Sequence, residues 1–231
     1  MADTKSESTN YQDKLIRSFG RIKSRKLSDH KNHLFENLLP QYKINFLVDL
    51  KPDDKNVLEI GFGFGDFFYE QSKNNPESNF FGFEPHINGV VNLLQFLEKE
   101  PLSNVKISSE DIRENLNKFP DGFFDKIYIL FPDPWPKFKH FKRRLINVKF
   151  LDEILAPKMK IDSDIIIATD HDSYKRWIFS QILLSKKFSW LAKDKSNWQN
   201  FPDDWTYTKY QKKAKREGRT SIIINLKNAA N

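Results

Sequence analysis

The sequence predicts an α/β protein: a mostly parallel, twisted sheet of seven strands with helices on both faces. Three observations carry this. From Asn56 onward, short apolar runs alternate with longer stretches of helical periodicity, the rhythm of a parallel sheet crossed by helices. The run "DIIIATD" (Asp164–Asp170) is apolar without alternation, as a strand covered on both faces must be. The first run leads into "LEIGFGFGD" (Leu58–Asp66), a glycine turn of the kind that joins a strand to the helix behind it.

Taken in order, the strand candidates are Val57–Ile60, Phe80–Glu84, Val105–Ser108, Lys126–Phe131 and Ile165–Thr169. The helix candidates between them are Asp66–Lys73, Ile87–Glu98, a short piece at Ile112–Leu116, Asn147–Leu155 and Ser173–Leu184. Near the end, "FSWLA" and "TSIIINLK" read as two further strands. They frame an insertion over 194–219 that is rich in tryptophan and lysine. Residues 1–13 are polar and read as a disordered tail. Residues 14–50 read as a basic N-terminal appendage, and 51–231 as the main domain.

The chain of 231 residues carries 38 basic and 31 acidic side chains, a net +7. The charge is segregated. Lys14–Lys31, Lys137–Lys149 and Lys209–Arg219 hold +6, +6 and +5, which leaves −10 for everything else. A basic footprint on an acidic body points to a polyanionic partner. No apolar run approaches the ~18 residues that span a membrane. The N-terminus lacks the apolar core of a secretory signal. With no cysteine and five scattered histidines, a metal site is not expected, and the cytoplasm is the expected location.

In sheets of this kind ligands bind beyond the carboxyl ends of the strands. The glycine loop reads G-x-G-x-G, with Asp66 where a dinucleotide fingerprint needs its last glycine, which speaks against NAD. Glu59 precedes the loop and would welcome a sulfonium or ammonium group rather than a pyrophosphate. Glu84 ends the second strand candidate, where an acid can accept both ribose hydroxyls. Asp111 follows the third, where an acid can accept from an adenine amino group. After the fourth comes "YILFPDPWPK" (Tyr128–Lys137). Proline fixes φ and donates no hydrogen bond, so this strand must stop near Phe131 and pass into a stiff loop bearing Asp133 and Trp135. Trp135 suits either stacking on a base or packing under the loop. Asp170, after the fifth strand, suits either the crevice or the cap of the next helix.

Together "LEIGFGFGD", "FFGFEPH", "LFPDPWPK" followed by "KRR", "ATD", "TKYQ" and the upstream "RSFGR" resemble the tRNA (guanine(46)-N7)-methyltransferases, over most of the chain. The resemblance implies a Rossmann-like class I methyltransferase fold. It implies S-adenosyl-L-methionine as methyl donor and N7 of guanine 46, in the variable loop of tRNA, as acceptor. Carried over by motif, the cofactor contacts fall on Glu59, Gly61, Gly63, Glu84, Asp111 and Asp133, with Asp133 also the catalytic residue. Substrate contacts fall on Lys137, Asp170, Thr208, Lys209, Tyr210 and Gln211, the last replacing the family's usual acid. Lys142, Arg143 and Arg144 read as tRNA phosphate contacts. A monomer or homodimer with no obligatory protein partner is expected. Two other readings stand beside this one: a tRNA-binding protein that kept the fold without catalysis, and a methyltransferase for small molecules.

Overall fold

The computed structural model describes residues 26–203 and 205–229. The expected tail over 1–13, the "RSFGR" segment and most of the first basic cluster lie outside the described residues.

The described chain opens with α1 (Asp29–His33), a π-helical turn (Leu34–Leu38) and α2 (Leu39–Tyr42). Leu34 and Leu39 are buried, and Ile44 N–H donates to the Ile107 carbonyl, so this basic stretch is seated on the domain. The core then follows as β1 (Lys55–Ile60), α3 (Asp66–Asn74), β2 (Ser78–Phe83), α4 (Ile87–Lys99), β3 (Val105–Ser108), α5 (Ile112–Asn115) and β4 (Phe124–Leu130). A 3₁₀ turn (Phe138–Arg143) and a π-helical stretch (Phe150–Leu155) lead to β5 (Met159–Thr169), α6 (Asp172–Leu184) and β6 (Phe188–Trp190). The end of the chain is α7 (Ser196–Gln199), α8 (Lys209–Arg216) and β7 (Ile222–Asn228).

All seven strands form one sheet in the order β3-β2-β1-β4-β5-β7-β6. β1 to β5 are parallel, and β7 runs antiparallel between β5 and β6. The chain moves outward from β1 to β3, then returns to place β4 on the other side of β1. That reversal opens a crevice at the carboxyl ends of β1 and β4. β5 is longer than the apolar run indicates: its first residue, Met159, pairs with Phe124 of β4 before a shift in register, and β7 pairs only from Asp164 to Thr169. β4 ends at Leu130, one residue before the predicted limit, and Phe131 turns into the left-handed region at φ 52°.

Two apolar layers cover the sheet. One holds a phenylalanine cluster in which Phe81, Phe119, Phe123 and Phe124 meet largely edge to face, at centroid separations from 4.9 to 6.2 Å. The other packs α3 and α4 through Phe67, Phe68, Val90, Leu93 and Leu94. No helix among the described residues is long and apolar enough to cross a membrane. Phe81 touches three rings of its cluster and is fully buried, so Phe81→Ala should lower unfolding free energy by about 3–5 kcal/mol in urea denaturation. A loss under 1 kcal/mol would show that the cluster collapses into the gap.

Candidate active site

The site grows from the end of β1. Backbone N–H groups of Gly61 and Phe62 both donate to the Phe83 carbonyl at the end of β2, which stitches the glycine loop to the neighbouring strand. Gly63 N–H donates to Oε2 of Glu84, and His86 N–H donates to its Oε1, each at 2.8 Å. Both carboxylate oxygens are thus oriented from behind, and each keeps a lone pair toward the crevice. α4 closes in from the other side: a Cβ at Gly89 would stand 2.1 Å from the Gly63 carbonyl oxygen. Gly61 is the opposite case. Its φ is +75° and a Cβ there would meet nothing within 4 Å, so its bare face looks into open space.

That space is a cavity of about 330 Å³ lined by the ends of β1, β2 and β4 and by the start of α5. It brings together Gly61, Gly63, Glu84, Asp111, Asp133, Arg143 and Tyr210 of the predicted set. A smaller cleft shares Gly61 and Tyr210 and adds Glu59, Asp66, Thr208 and Lys209. Tyr210, at the start of α8, is the partition between the two.

The acids differ in their surroundings. Glu59 is 2% exposed and accepts no hydrogen bond from any described residue. Burial, and then the neighbouring Glu84, hold its carboxyl well above the ordinary value. Glu84 is pushed up to about 7 by burial, against its two backbone donors, with Asp133 and Asp111 adding. Asp111 caps α5 by accepting from Arg113 N–H and is gripped by the Arg113 guanidinium at 3.0 and 2.8 Å. Asp133 stands at the cavity mouth, raised by burial, with no hydrogen bond from the described residues.

The proline loop carries Asp133 between two left-handed residues, Phe131 at φ 52° and Trp135 at φ 39°. For non-glycine residues each such conformation costs on the order of 1–3 kcal/mol and persists only where its surroundings over-determine it. Trp135 lines the cavity rather than packing under the loop. The Arg143 guanidinium lies 4.9 Å from its ring centre, and His140 meets it edge-on at 5.7 Å.

Several expected contacts stand elsewhere. Arg144 is 2% exposed, not on the surface: it donates from Nε to the Pro134 carbonyl at 2.9 Å and from Nη2 to Ser173 Oγ at 3.1 Å. A side chain so enclosed cannot meet a tRNA phosphate. Gln211 is 5% exposed, and its Oε1 accepts the Trp205 indole N–H at 2.8 Å, so its carbonyl is committed inside the fold. Asp170 lies outside both cavities and pairs with Arg219 Nε at 2.7 Å. It does not cap α6, whose N-cap is His171. Thr208 caps α8 by accepting from Gln211 N–H, and lines the smaller cleft besides. Lys137 and Lys142 are exposed on the 3₁₀ turn, outside the cavity. Sequence reasoning passed over Arg113, which braces Asp111. Its signal is an arginine two residues after an acid that opens a helix.

The profile of a family described as "Putative methyltransferase" matches residues 53–224. The tRNA (guanine-N(7)-)-methyltransferase of Agrobacterium fabrum is 36% identical over 218 residues, covering 89% of this chain and 92% of the relative. This chain belongs to the tRNA (guanine-N(7)-)-methyltransferase family. The Caulobacter vibrioides member is 37% identical over 203 residues, covering 86% of this chain and 89% of its own. Among solved structures, the 16S rRNA methyltransferase KamB superposes with a TM-score of 0.51 at 14% identity, covering 90% and 97% of the two chains. An antibiotic-related methyltransferase gives 0.50 at 18% identity, covering 90% and 98%. These likenesses show the Rossmann-like class I methyltransferase fold.

S-adenosyl-L-methionine is the methyl donor of this family, and the residues present fit it. The open face of Gly61 leaves room for a ligand against the backbone. Glu59 is a buried carboxylate without a hydrogen bond from the described residues, beside a cleft that a cationic group can enter.

Such a ligand favours the ionised carboxylates, whereas burial favours the neutral ones. In the free protein, the stability carried by neutral Glu84 is present below its unfolded value near 4.5 and is lost as pH rises through about 7. Cofactor affinity should move the opposite way, rising from pH 6 to 8, with protons released on binding. Calorimetry at pH 6.5 in two buffers of different ionisation enthalpy measures this. Absence of proton release would show that the carboxylates are already ionised.

Proposed function

We propose that this enzyme transfers a methyl group to N7 of guanine in tRNA, at position 46 of the variable loop, with Asp133 as the catalytic residue. The carrying observation is the placement of Asp133. It is a carboxylate without a hydrogen bond from the described residues, at the mouth of the cofactor cavity, with a basic element on either side. The 3₁₀ turn presents Lys137, Lys139 and Lys142 to solvent on one side, and α8 presents Lys212, Lys213, Lys215 and Arg216 on the other. Each element also lends a residue to the cavity wall, Arg143 and Tyr210 respectively. A polyanion lying across both would bring an unstacked base to Asp133.

In this reading Glu59 faces the ammonium end of the donor, Glu84 the ribose hydroxyls and Asp111 the adenine, with Gly61 and Gly63 leaving room for the backbone approach. Bound there, the donor presents a methyl group on a cationic sulfur. Guanine N7 holds an in-plane lone pair and no proton, so attack needs no general base. As N7 gains the methyl, positive charge appears on the purine and its N1–H becomes a stronger donor. Asp133, accepting from N1–H and the exocyclic amine, therefore binds the transition state more tightly than the ground state. Lys209 and Tyr210 stand at the base-side opening, while Thr208 and Gln211 hold the helix start that presents them. The enzyme acts in the cytoplasm, as a monomer or homodimer that needs no partner chain.

Incubation with labelled donor and unmodified tRNA, followed by mapping of the methylated nucleotide, tests the whole reading. Label at a base other than the expected guanine would overturn the acceptor assignment. Asp133→Ala should cut turnover by roughly 100-fold or more while tRNA affinity holds. Lys137→Ala with Lys142→Ala should weaken tRNA binding and flatten its log–log salt dependence by about 1–2 units. An unchanged slope would place the phosphates elsewhere.

A further inference from the structure

We propose that Arg144 is a positioning residue for methyl transfer: it grips the peptide between Pro134 and Trp135 from inside the fold and so sets where the Asp133 carboxylate stands. The proposal rests on the reading of Asp133 given above.

The charge of Arg144 is spent in an unusual way. No carboxylate of the described residues lies within ion-pair distance of it. Its guanidinium lies 3.6 Å from the Phe141 ring centre and 5.2 Å from those of Tyr174 and Trp177, an aromatic box on three sides. Those rings are themselves anchored. Tyr174 OH accepts from Ile146 N–H, and Trp177 Nε1–H donates to the Ile146 carbonyl at 2.6 Å. Burying an arginine without a counter-ion is costly, and simple packing would be served better by an apolar side chain. What an apolar side chain cannot do is donate in two directions at once from a rigid plane.

One of those donations lands on a particular peptide. The Pro134 carbonyl belongs to the unit whose orientation fixes ψ of Pro134 and φ of Trp135, the residue held at +39°. Rotating that peptide would relax Trp135 into an ordinary conformation and carry the Asp133–Pro134 link with it. Prolines 132, 134 and 136 restrict φ at their own positions but leave this ψ free. Arg144 closes that remaining freedom. Its second donation, to Ser173 Oγ at the start of α6, ties the loop to that helix. The loop is thereby referenced to α6 as well as to the basic turn, whose Arg143 and His140 pack on Trp135.

The test is a double-mutant cycle on the full-length enzyme with tRNA and donor. Arg144→Lys keeps the charge but loses the planar, two-way grip. It should lower kcat by about 100-fold, the scale of a 1 Å misplacement, with KM for tRNA within about twofold. The salt slope of tRNA binding should stay at the parent value. A phosphate contact would instead lower it by about 1. In an Asp133→Asn background, Arg144→Lys should cost less than about twofold further, because residues acting as one unit are not additive. A full multiplicative loss in that background overturns the proposal alone. Near-normal turnover of Asp133→Asn overturns the reading of Asp133 and the proposal with it. Should Arg144→Lys fail to fold, Ser173→Ala removes the second tether, along with the Ser173 contact to His171 Nδ1. It should lower kcat several-fold in the parent and not in Asp133→Asn, and an equal loss in both overturns the proposal.

Discussion

The site hangs on one carboxylate. Glu84 accepts from Gly63 N–H with one oxygen and from His86 N–H with the other. Those two bonds lock the glycine loop of β1 to the first turn of α4, across the crevice that the reversal of strand order opens. With the loop fixed, Gly89 can press α4 against it to within the reach of a missing Cβ, and α3 can start at Gly65. When Glu84 is ionised, each of these bonds is stronger than a neutral contact of the same length. Here it also leaves the remaining lone pairs aimed at the cavity. The same atoms that hold the frame together are those a ribose would meet.

That economy has an electrostatic cost in the free protein. Glu59, Glu84, Asp111 and Asp133 converge on connected space, and burial raises three of them. Burial first, and then the neighbouring Glu84, raises Glu59. Only Asp111 has a cation of its own, Arg113. The arrangement stores acid that a cationic ligand relieves. In the proposed reading, methyl transfer would move the positive charge off sulfur and onto the base, toward Asp133 at the mouth. In that reading the gradient of acids, deep for the donor and shallow for the acceptor, would follow the path the charge takes.

The fold was legible because its signals are local. Apolar runs of four to six residues, glycine and proline punctuation, and acids at strand ends each report their own position. Val105–Ser108 needed no other part of the chain to be placed correctly. The misplaced residues were those whose role is decided by tertiary partners. Arg144 sits in a basic run beside exposed Lys142, and nothing in "KRR" tells that the last side chain turns inward to Pro134. Gln211 follows three residues that line the smaller cleft, yet one step along α8 rotates it to Trp205. Asp170 follows the end of a strand just as Glu84 does. What separates them is Arg219, 49 positions away.

The proline loop shows why these placements matter to chemistry. A carboxylate that orients a base must not follow the base as it moves, or it stabilises ground and transition states alike. Three prolines remove most of the backbone freedom around Asp133, but they do so at the level of φ, one residue at a time. The two left-handed turns at Phe131 and Trp135 fold the segment back over the cavity, and neither conformation is one its residue would choose. At the first, Phe131 N–H donates to the Ala168 carbonyl on β5, so the strand pairing holds the turn. At the second there is no strand, and the buried guanidinium takes its place. The loop is therefore held at one end by the sheet and at the other, through Arg144, by α6.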